Sequence, residues 1–320
     1  MENTTTTTPL TALLGIKHPL IMAPMFLVSN VKMLVAGMQH GVAACVPALN
    51  YRTIPELKAA ITALKKAKVE GGAFGINLIV NKSNIKYKDQ LTACCELGVD
   101  FIITSLGSPR HTIAQCKPKG IKVFCDVIDV KYAKIVEELG CDAVIAVNNQ
   151  AGGHRGNVDP TDLIKRLTKA VQIPVISAGG VSNKNDLDTM LKAGAVGVSV
   201  GSPFIASTES GISKEYKQAC VDYGAKDIIM TEKISGTPCT VINTPYVQNL
   251  GTKQNWFEAL LNKNKKLKKW VKMLRFMVGT NLITKAATSA TYKTVWVAGP
   301  TIEATKEIAS VEHIIQRFIL

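Results

Sequence analysis

Eight short runs of apolar residues recur along the first two hundred residues, and segments with helical patterns lie between several of them. The apolar positions within each run are contiguous rather than alternating, which predicts strands buried on both faces, as in a parallel sheet. The runs are PLIMAPM (19–25), GVAACV (41–46), GAFGINLIV (72–80), FIITSL (101–106), KVFCDV (122–127), AVIAV (143–147), PVISAGG (174–180) and GVSVGS (197–202).

The intervening segments carry helix start and stop signals. Asp159-Pro160 and Ser182 predict helix starts, and Gly140 and Gly194 predict helix ends. Eight strands with helical connections predict an α/β fold, a (β/α)8 TIM barrel. The alternative is a doubly wound open sheet, but such sheets usually have about six strands, and no GxGxxG follows the first run. We therefore expect a flexible leader over residues 1–10 and a barrel over 11–225.

The pattern changes after residue 203. A helical piece, SKEYKQACVDYG, leads into a stretch rich in Thr, Pro and Asn, and the chain ends in the helical pattern IASVEHIIQRFIL. We expect an insertion or lid over residues 226–290 and a C-terminal segment over 291–320 that packs back on the barrel.

Charge is concentrated in one part of the insertion. Residues 253–275 hold eight Lys or Arg and one acidic residue, Glu258, which is about half of the net charge of +14. Apolar residues at helical spacing predict an amphipathic basic helix here, either a solvated helix packed on the barrel or a contact surface for an acidic partner or membrane headgroups. The rest of the chain is only mildly basic, which argues against a nucleic-acid-binding surface.

Composition describes a globular chain. Of its 320 residues, 47% are hydrophobic and 19% charged, and no apolar stretch approaches the roughly 20 residues of a membrane span. The beginning, MENTTTTTPLTALL, lacks the basic and apolar blocks of an export signal. Eight scattered cysteines without a CxxC pair favour reduced thiols over a metal site or disulfide framework. These features predict a cytoplasmic protein without a metal.

Glycine pairs follow the seventh and eighth runs. Catalytic and phosphate sites of such barrels lie at the carboxyl ends of the strands, often after the seventh and eighth. Gly179-Gly180 and Gly201-Ser202 stand there, and backbone N–H groups without a nearby Cβ are suited to a phosphate. Tight turns are the alternative explanation for these glycines.

The segment NNQAGGHRGN (148–157) follows the sixth run and faces the same end. Gly152 and Gly153 would let the backbone lie against a flat or phosphorylated ligand, and His154 could act as an acid or base near pH 7. A histidine that only caps a loop is the alternative. Arg155 is equally suited to a surface ion pair or a substrate contact.

Two further run ends carry candidate ligand contacts. Ala23, Pro24 and Met25 end the first run, where a small and a rigid residue would fit against a flat ring. Asn77 is a polar residue within an apolar run, and its amide needs partners, which either a ligand or a neighbouring strand could supply.

Together these motifs resemble the nitronate monooxygenase (2-nitropropane dioxygenase) family. IMAPM, FGINL, AGGHRG, PVISAGGV and GVSVGSPFIAS occur in the family's order and at similar spacing over about residues 10–210. The family consists of FMN-dependent (β/α)8 enzymes and is related to flavin-type enoyl-acyl-carrier-protein reductases and some NADH:quinone reductases. The resemblance implies that FMN is the cofactor and that His154 is the catalytic histidine. It also implies these FMN contacts: Ala23, Pro24, Met25, Asn77, Gln150, Gly152, Gly153, Gly179, Gly180, Ser199, Val200, Gly201 and Ser202.

Two positions depart from the family's pattern. Many members carry Glu where this chain has Gln150, and Gln or Glu where it has Val147. Asn148 and Asn149 could take over those hydrogen bonds.

Three functions follow as expectations. The first is oxidation of alkyl nitronates with O₂ to a carbonyl compound and nitrite. The second is reduction of an enoyl thioester or a quinone with NAD(P)H, for which the basic segment suits an acidic carrier protein. The third is a flavin-binding barrel without catalysis. The partners expected are thus a small-molecule substrate, O₂ or NAD(P)H, and a second copy of the chain in a homodimer.

Overall fold

Eight parallel strands close into a barrel in the order of the chain, as the apolar runs predict. The structure is a computed structural model that describes residues 7–232, 238–252 and 295–320. The strands are β1 (Leu20–Met22), β2 (Ala43–Pro47), β3 (Ala73–Ile79), β4 (Phe101–Ser105), β5 (Lys122–Val127), β6 (Ala143–Val147), β7 (Val175–Ala178) and β8 (Gly197–Val200). Met22 pairs with Ala44 of β2 and with Val200 of β8, which closes the barrel.

Helices connect the strands and surround the barrel. They are α1 (Pro9–Leu14), α2 (Val31–Gln39), α3 (Ile54–Ala67), α4 (Tyr87–Leu97), α5 (Arg110–Cys116), α6 (Val130–Glu138), α7 (Pro160–Ala170), α8 (Lys184–Lys192), α9 (Lys214–Asp222), α10 (Pro245–Leu250) and α11 (Val311–Ile319). None of the helices in these described ranges has the length and apolar character needed to cross a lipid bilayer.

The helix start signals explain where two helices begin. Asp159 caps α7, and Pro160 occupies its first position, as predicted. The signal at Ser182 is displaced by one residue, because Asn183 caps α8 through a bond from the Asp186 N–H. The Ser182 N–H and hydroxyl both donate to the Asp186 carboxylate instead.

Apolar side chains fill the interior of the barrel at the amino end of its strands. Leu10 of α1 is fully buried with Ile16, Phe101 and Phe124 in the interior cluster. The two phenylalanine rings stack with centroids 5.3 Å apart. A Cβ at Gly75 would lie 2.5 Å from the Phe101 ring, so only glycine fits there. Helix α1 therefore closes the amino end, and it begins at Pro9, within the expected leader.

A small two-stranded sheet lies beside the carboxyl end of the barrel. Strands β9 (Ile228–Thr231) and β10 (Cys239–Ile242) form an antiparallel pair, which the Thr- and Pro-rich pattern did not predict. Val297 bridges to Val241 of β10, and α11 packs against α2 and α8. The proposed basic helix at 253–275, most of the proposed lid over 226–290 and residues 291–294 lie outside the described residues.

All eight cysteines are buried and free. Burial raises the pKa of the Cys94, Cys116 and Cys220 thiols. They pack as small apolar side chains, which agrees with the reduced thiols expected from the sequence.

Candidate active site at the carboxyl end of the barrel

The turns after β7 and β8 present unused backbone donors. Gly179 and Gly180 have φ values of 106° and 76°, in the region that favours glycine. Within the described ranges, the N–H groups of Gly180, Gly201 and Ser202 donate to no other group of the chain. Because buried or clustered N–H groups normally find an acceptor, this cluster is suited to an anion.

The β7 turn is held by the segment after β6. The Asn148 amide donates to the Gly179 carbonyl at 2.9 Å, and its Oδ1 accepts from the Gln150 N–H at 2.8 Å. A Cβ at Gly179 would lie 2.4 Å from that Oδ1, and one at Gly180 would lie 3.2 Å from the Gln150 Cβ. Packing against residues 148–151 thus accounts for glycine at 179, and Gln150 lies directly beside Gly180.

The ends of β1 and β8 lie side by side. The Ala23 N–H donates to the Val200 carbonyl at 2.8 Å. A Cβ at Gly201 would lie 3.6 Å from the Ala23 Cβ and from the Met25 Sδ, which is ordinary van der Waals contact, so Ala23 and Met25 lie directly beside Gly201. Pro24 is partly exposed in the same turn.

Ser199 and Val200 face opposite sides of β8. The opening at the carboxyl end of the barrel is called the mouth below. Val200 packs in the outer cluster between the barrel and the helices, so only its backbone faces the mouth. Side chains alternate along a strand, so Ser199 points into the barrel, where it is buried.

The close approach at Gly152 is to another part of the chain. A Cβ there would lie 2.9 Å from the Ser202 Oγ and 3.0 Å from the Gly299 nitrogen. The Gly299 N–H also donates to the Ser202 Oγ at 2.8 Å. These contacts, which the sequence assigned to a ligand, explain the glycine at 152 and engage the Ser202 hydroxyl. Flavin contacts by Gly152 and the Ser202 N–H stay predictions.

His154 stands next to an anchored backbone. The Gly153 N–H donates to Thr240 Oγ1 at 2.7 Å, and the Thr240 N–H donates to the Gly153 carbonyl at 3.0 Å. Thr240 belongs to β10 and is buried. The two bonds fix the loop that carries His154 against the small sheet.

His154 is partly open to solvent, but protein atoms lie close around its ring. The residue is exposed to solvent, while nearby protein atoms desolvate the imidazole and lower its pKa below the usual 6.5. A histidine with a lowered pKa is neutral at pH 7. The ring can therefore accept a proton there.

Arg155 braces the same loop. Its guanidinium donates to the Asn149 carbonyl, and its Nε lies 3.3 Å from the Met230 Sδ of β9. Among the described residues Arg155 forms no ion pair, and its side chain instead joins the loop to β9. A substrate contact by Arg155 stays a prediction.

Three polar side chains form a hydrogen-bonded row inside the mouth, on neighbouring strands. The Asn77 Nδ2 donates to the Ser105 Oγ at 2.8 Å and to the Ile103 carbonyl at 3.2 Å. The Ser105 hydroxyl donates to the Asp126 carboxylate at 2.5 Å. Desolvation raises the pKa of Asp126 to about 6, although the Ser105 bond opposes the shift.

Sequence reasoning missed several of these residues. Asp126 and Ser105 are polar residues at the ends of apolar runs, as Asn77 is, and that signal was available. Thr240 and Gly299 reach the site from positions distant in the chain, and no local pattern marks them. The site thus combines strand ends found in the sequence with contacts set by tertiary structure.

Comparison with known proteins places the chain in one family. A family model described as nitronate monooxygenase matches residues 7–320. A (3aS,4S,5R,7aS)-5-hydroxy-7a-methyl-1-oxo-octahydro-1H-indene-4-carboxyl-CoA dehydrogenase of Rhodococcus jostii (strain RHA1) is 32% identical over 76% of this chain and 67% of its own length. A probable nitronate monooxygenase of Staphylococcus saprophyticus is 30% identical over 52% of this chain and 50% of its own. The structure of FabK from Thermotoga maritima superposes with a TM-score of 0.84 and 26% identity, over 98% of this chain and 95% of that one.

Proposed function

The chain belongs to the nitronate monooxygenase family, and on that basis we propose that it is an FMN-dependent oxidoreductase that oxidises alkyl nitronates with O₂. Family membership supports an oxidoreductase with a flavin. The choice of FMN and of nitronates is our proposal. The observation that carries it is the set of backbone donors at Gly180, Gly201 and Ser202, which no described residue accepts from, at the carboxyl end of the barrel. The loop after β6 carries His154 at the same end, and the lowered pKa of its ring leaves it neutral at pH 7.

The residues present fit FMN. The N–H groups of Gly180, Gly201 and Ser202 would hold the phosphate, as backbone donors do in other phosphate sites. The turn of Ala23, Pro24 and Met25 lies beside Gly201 and would lie by the isoalloxazine. When bound, the flavin would accept electrons from the substrate and pass them to an oxidant.

His154 would prepare the substrate. A neutral imidazole can take the proton from the α-carbon of a nitroalkane, which leaves the nitronate anion and a protonated ring. The lowered pKa favours this role over electrostatic stabilisation of an anionic substrate by a protonated ring. In the oxidation itself, two nitronate anions and one O₂ balance two carbonyl products and two nitrite ions.

Substrate-dependent bleaching of the flavin tests the substrate. We expect a nitronate, added without O₂, to bleach the visible flavin bands, and O₂ to restore them with release of nitrite. A flavin that stays oxidised with every nitronate tried would contradict the nitronate assignment. It would leave an oxidoreductase with a different substrate, or a flavin-binding barrel without catalysis.

A second candidate substrate is an acyl thioester. The relative from Rhodococcus jostii is a dehydrogenase of a carboxyl-CoA compound, and it aligns with a larger share of this chain than the probable nitronate monooxygenase does. This candidate predicts rapid bleaching of the flavin by NADH or NADPH and reoxidation by an enoyl thioester such as crotonyl-CoA. The nitronate assignment predicts that neither nicotinamide bleaches the flavin rapidly.

A further inference from the structure

The row of Asn77, Ser105 and Asp126 has a defined direction of donation. An ionised carboxylate can only accept, so the single proton of the Ser105 hydroxyl points to Asp126. The Ser105 oxygen is then left as an acceptor, and it receives one of the two hydrogens on the Asn77 nitrogen.

Both hydrogens of the Asn77 amide are committed. The second one goes to the Ile103 carbonyl, which can only accept. A flipped amide would set its oxygen against that carbonyl and lose both bonds. Asn77 is buried, and among the described residues none donates to its Oδ1. The amide oxygen is thus an oriented acceptor at the mouth of the barrel.

Among the described residues, Ser105 is the one hydrogen-bond partner of the carboxylate at the end of the row. Desolvation opposes the ionised form of this carboxylate. An aspartate that burial penalises in this way is more typical of a functional site than of a core. Phe124, two positions before Asp126 on the same strand, lies in the apolar cluster inside the barrel.

We propose that Ser105 and Asp126 are positioning residues that fix the Asn77 amide oxygen toward the flavin, where it accepts a hydrogen bond from a ring N–H. The inference rests on the proposed flavin cofactor. The oxidised isoalloxazine ring carries a single N–H and several acceptors, so an amide free to rotate would present its donor to the ring about as readily as its acceptor. The hydrogen bonds of the row fix the amide with its oxygen as the available group before the cofactor binds.

The Ser105→Thr and Ser105→Val variants separate the hydroxyl from the side-chain volume, since threonine and valine have nearly the same shape and differ in a hydroxyl against a methyl group. FMN affinity of the apoprotein is measured by quenching of flavin fluorescence at pH 8, where Asp126 is ionised. We expect Ser105→Thr to bind about as tightly as the wild type and Ser105→Val to bind about tenfold more weakly, as for one misoriented hydrogen bond. Equal affinities of the two variants would overturn the proposal.

A double-mutant cycle tests whether Asp126 acts through Asn77. We expect Asp126→Leu and Asn77→Ala each to weaken FMN binding by about tenfold, and the double variant to be no weaker than Asn77→Ala alone. If Asp126→Leu weakened FMN binding just as much in the Asn77→Ala background, Asp126 would not act through the Asn77 amide. Should Asp126→Leu not fold, Ser105→Val takes its place in the same cycle.

Thr104→Val is the matched control. Thr104 lies on the same strand but faces outward, where its hydroxyl donates to the Phe124 carbonyl and contacts the Cys125 Sγ. We expect it to lower stability and to leave FMN affinity unchanged. If the wild type did not bind FMN, the proposed cofactor would be refuted. If the wild type bound FMN tightly and the variants bound it equally well, only the positioning role would be refuted.

Discussion

Gly153 and Thr240 exchange two short hydrogen bonds across 87 positions of the chain, beside a third of 3.5 Å from the threonine hydroxyl to the glycine carbonyl. One runs from the Gly153 N–H to the threonine hydroxyl at 2.7 Å, and the other from the Thr240 N–H to the glycine carbonyl at 3.0 Å. Because His154 follows Gly153 directly, the small sheet of β9 and β10 sets the position of the candidate catalytic histidine.

Thr240→Val tests this anchor. The variant keeps the bond made by the Thr240 backbone but leaves the Gly153 N–H without its acceptor, which costs roughly 1–3 kcal/mol. We expect lower thermal stability and lower turnover, with FMN still bound. Thr240→Ser retains the hydroxyl and should behave as the wild type. If its stability and turnover were as low as those of Thr240→Val, loss of the hydroxyl would not be the cause.

His154→Ala tests the histidine itself. We expect FMN to remain bound and turnover of a neutral nitroalkane to fall by about 10²–10⁴-fold, the usual effect of losing a general base. A preformed nitronate no longer needs the proton removed, so its turnover should fall much less. Full nitroalkane turnover in the FMN-loaded variant would refute the assignment.

The pH dependence of nitroalkane turnover follows from the pKa of His154. Desolvation lowers this pKa below 6.5, so the imidazole is neutral and active at pH 7. We expect turnover to be constant from pH 7 upward and to fall as the pH decreases through a value below 6.5. An activity that rises on acidification would show that the protonated ring is the active form.

Gly180→Ala tests the phosphate cradle. The substitution forces a left-handed conformation on alanine, at a cost of roughly 1–2 kcal/mol, and sets a methyl group 3.2 Å from the Gln150 Cβ. We expect FMN affinity to fall by about tenfold. Gly120→Ala is the control, because Gly120 has a similar φ of 70° and open space around it, but lies at the opposite end of the barrel. Gly120→Ala should lose stability through the same backbone cost and keep its FMN affinity.

Asp126 should make the apoprotein less stable at high pH. Its pKa is about 6 in the folded chain against 3.8 for the ordinary group, so the folded state disfavours ionisation. The penalty is absent below about pH 4, grows up to pH 6 and is complete above it, at about 3 kcal/mol. Cys45 and Tyr132, whose pKa values the Asp126 charge helps to raise, stay neutral throughout.

Asp126→Asn removes this penalty while keeping an acceptor for Ser105. We therefore expect the variant to unfold at a higher denaturant concentration than the wild type at pH 8, and at nearly the same concentration at pH 4. A variant that is equally destabilised at both values would show that the carboxylate is not strained by burial.

The barrel was predictable because each of its strands is buried on both faces. Val144 and its neighbours form a contiguous apolar run, and β6 occupies the residues of that run. Asn77 stood out as a polar residue in such a run, and the structure places it at the mouth. The same reasoning could have found Asp126, which lies in the run KVFCDV and faces inward like Asn77.

Other parts of the site could not be found in this way. Gly152 was assigned to a ligand because glycine permits close approach, yet a sequence cannot say what approaches, and in the structure it is Gly299. The antiparallel pairing of β9 with β10 was also missed, since each strand has only 4 residues and the stretch that contains them is rich in Thr, Pro and Asn. Contacts between distant segments decide both features.

The central claim is that the ends of β7 and β8 hold FMN, and the visible absorption spectrum of the purified protein tests it most directly. We predict flavin bands near those of FMN, and release of FMN rather than FAD on denaturation, at about one per chain. A protein that is colourless as purified and that binds no FMN on titration would contradict the claim.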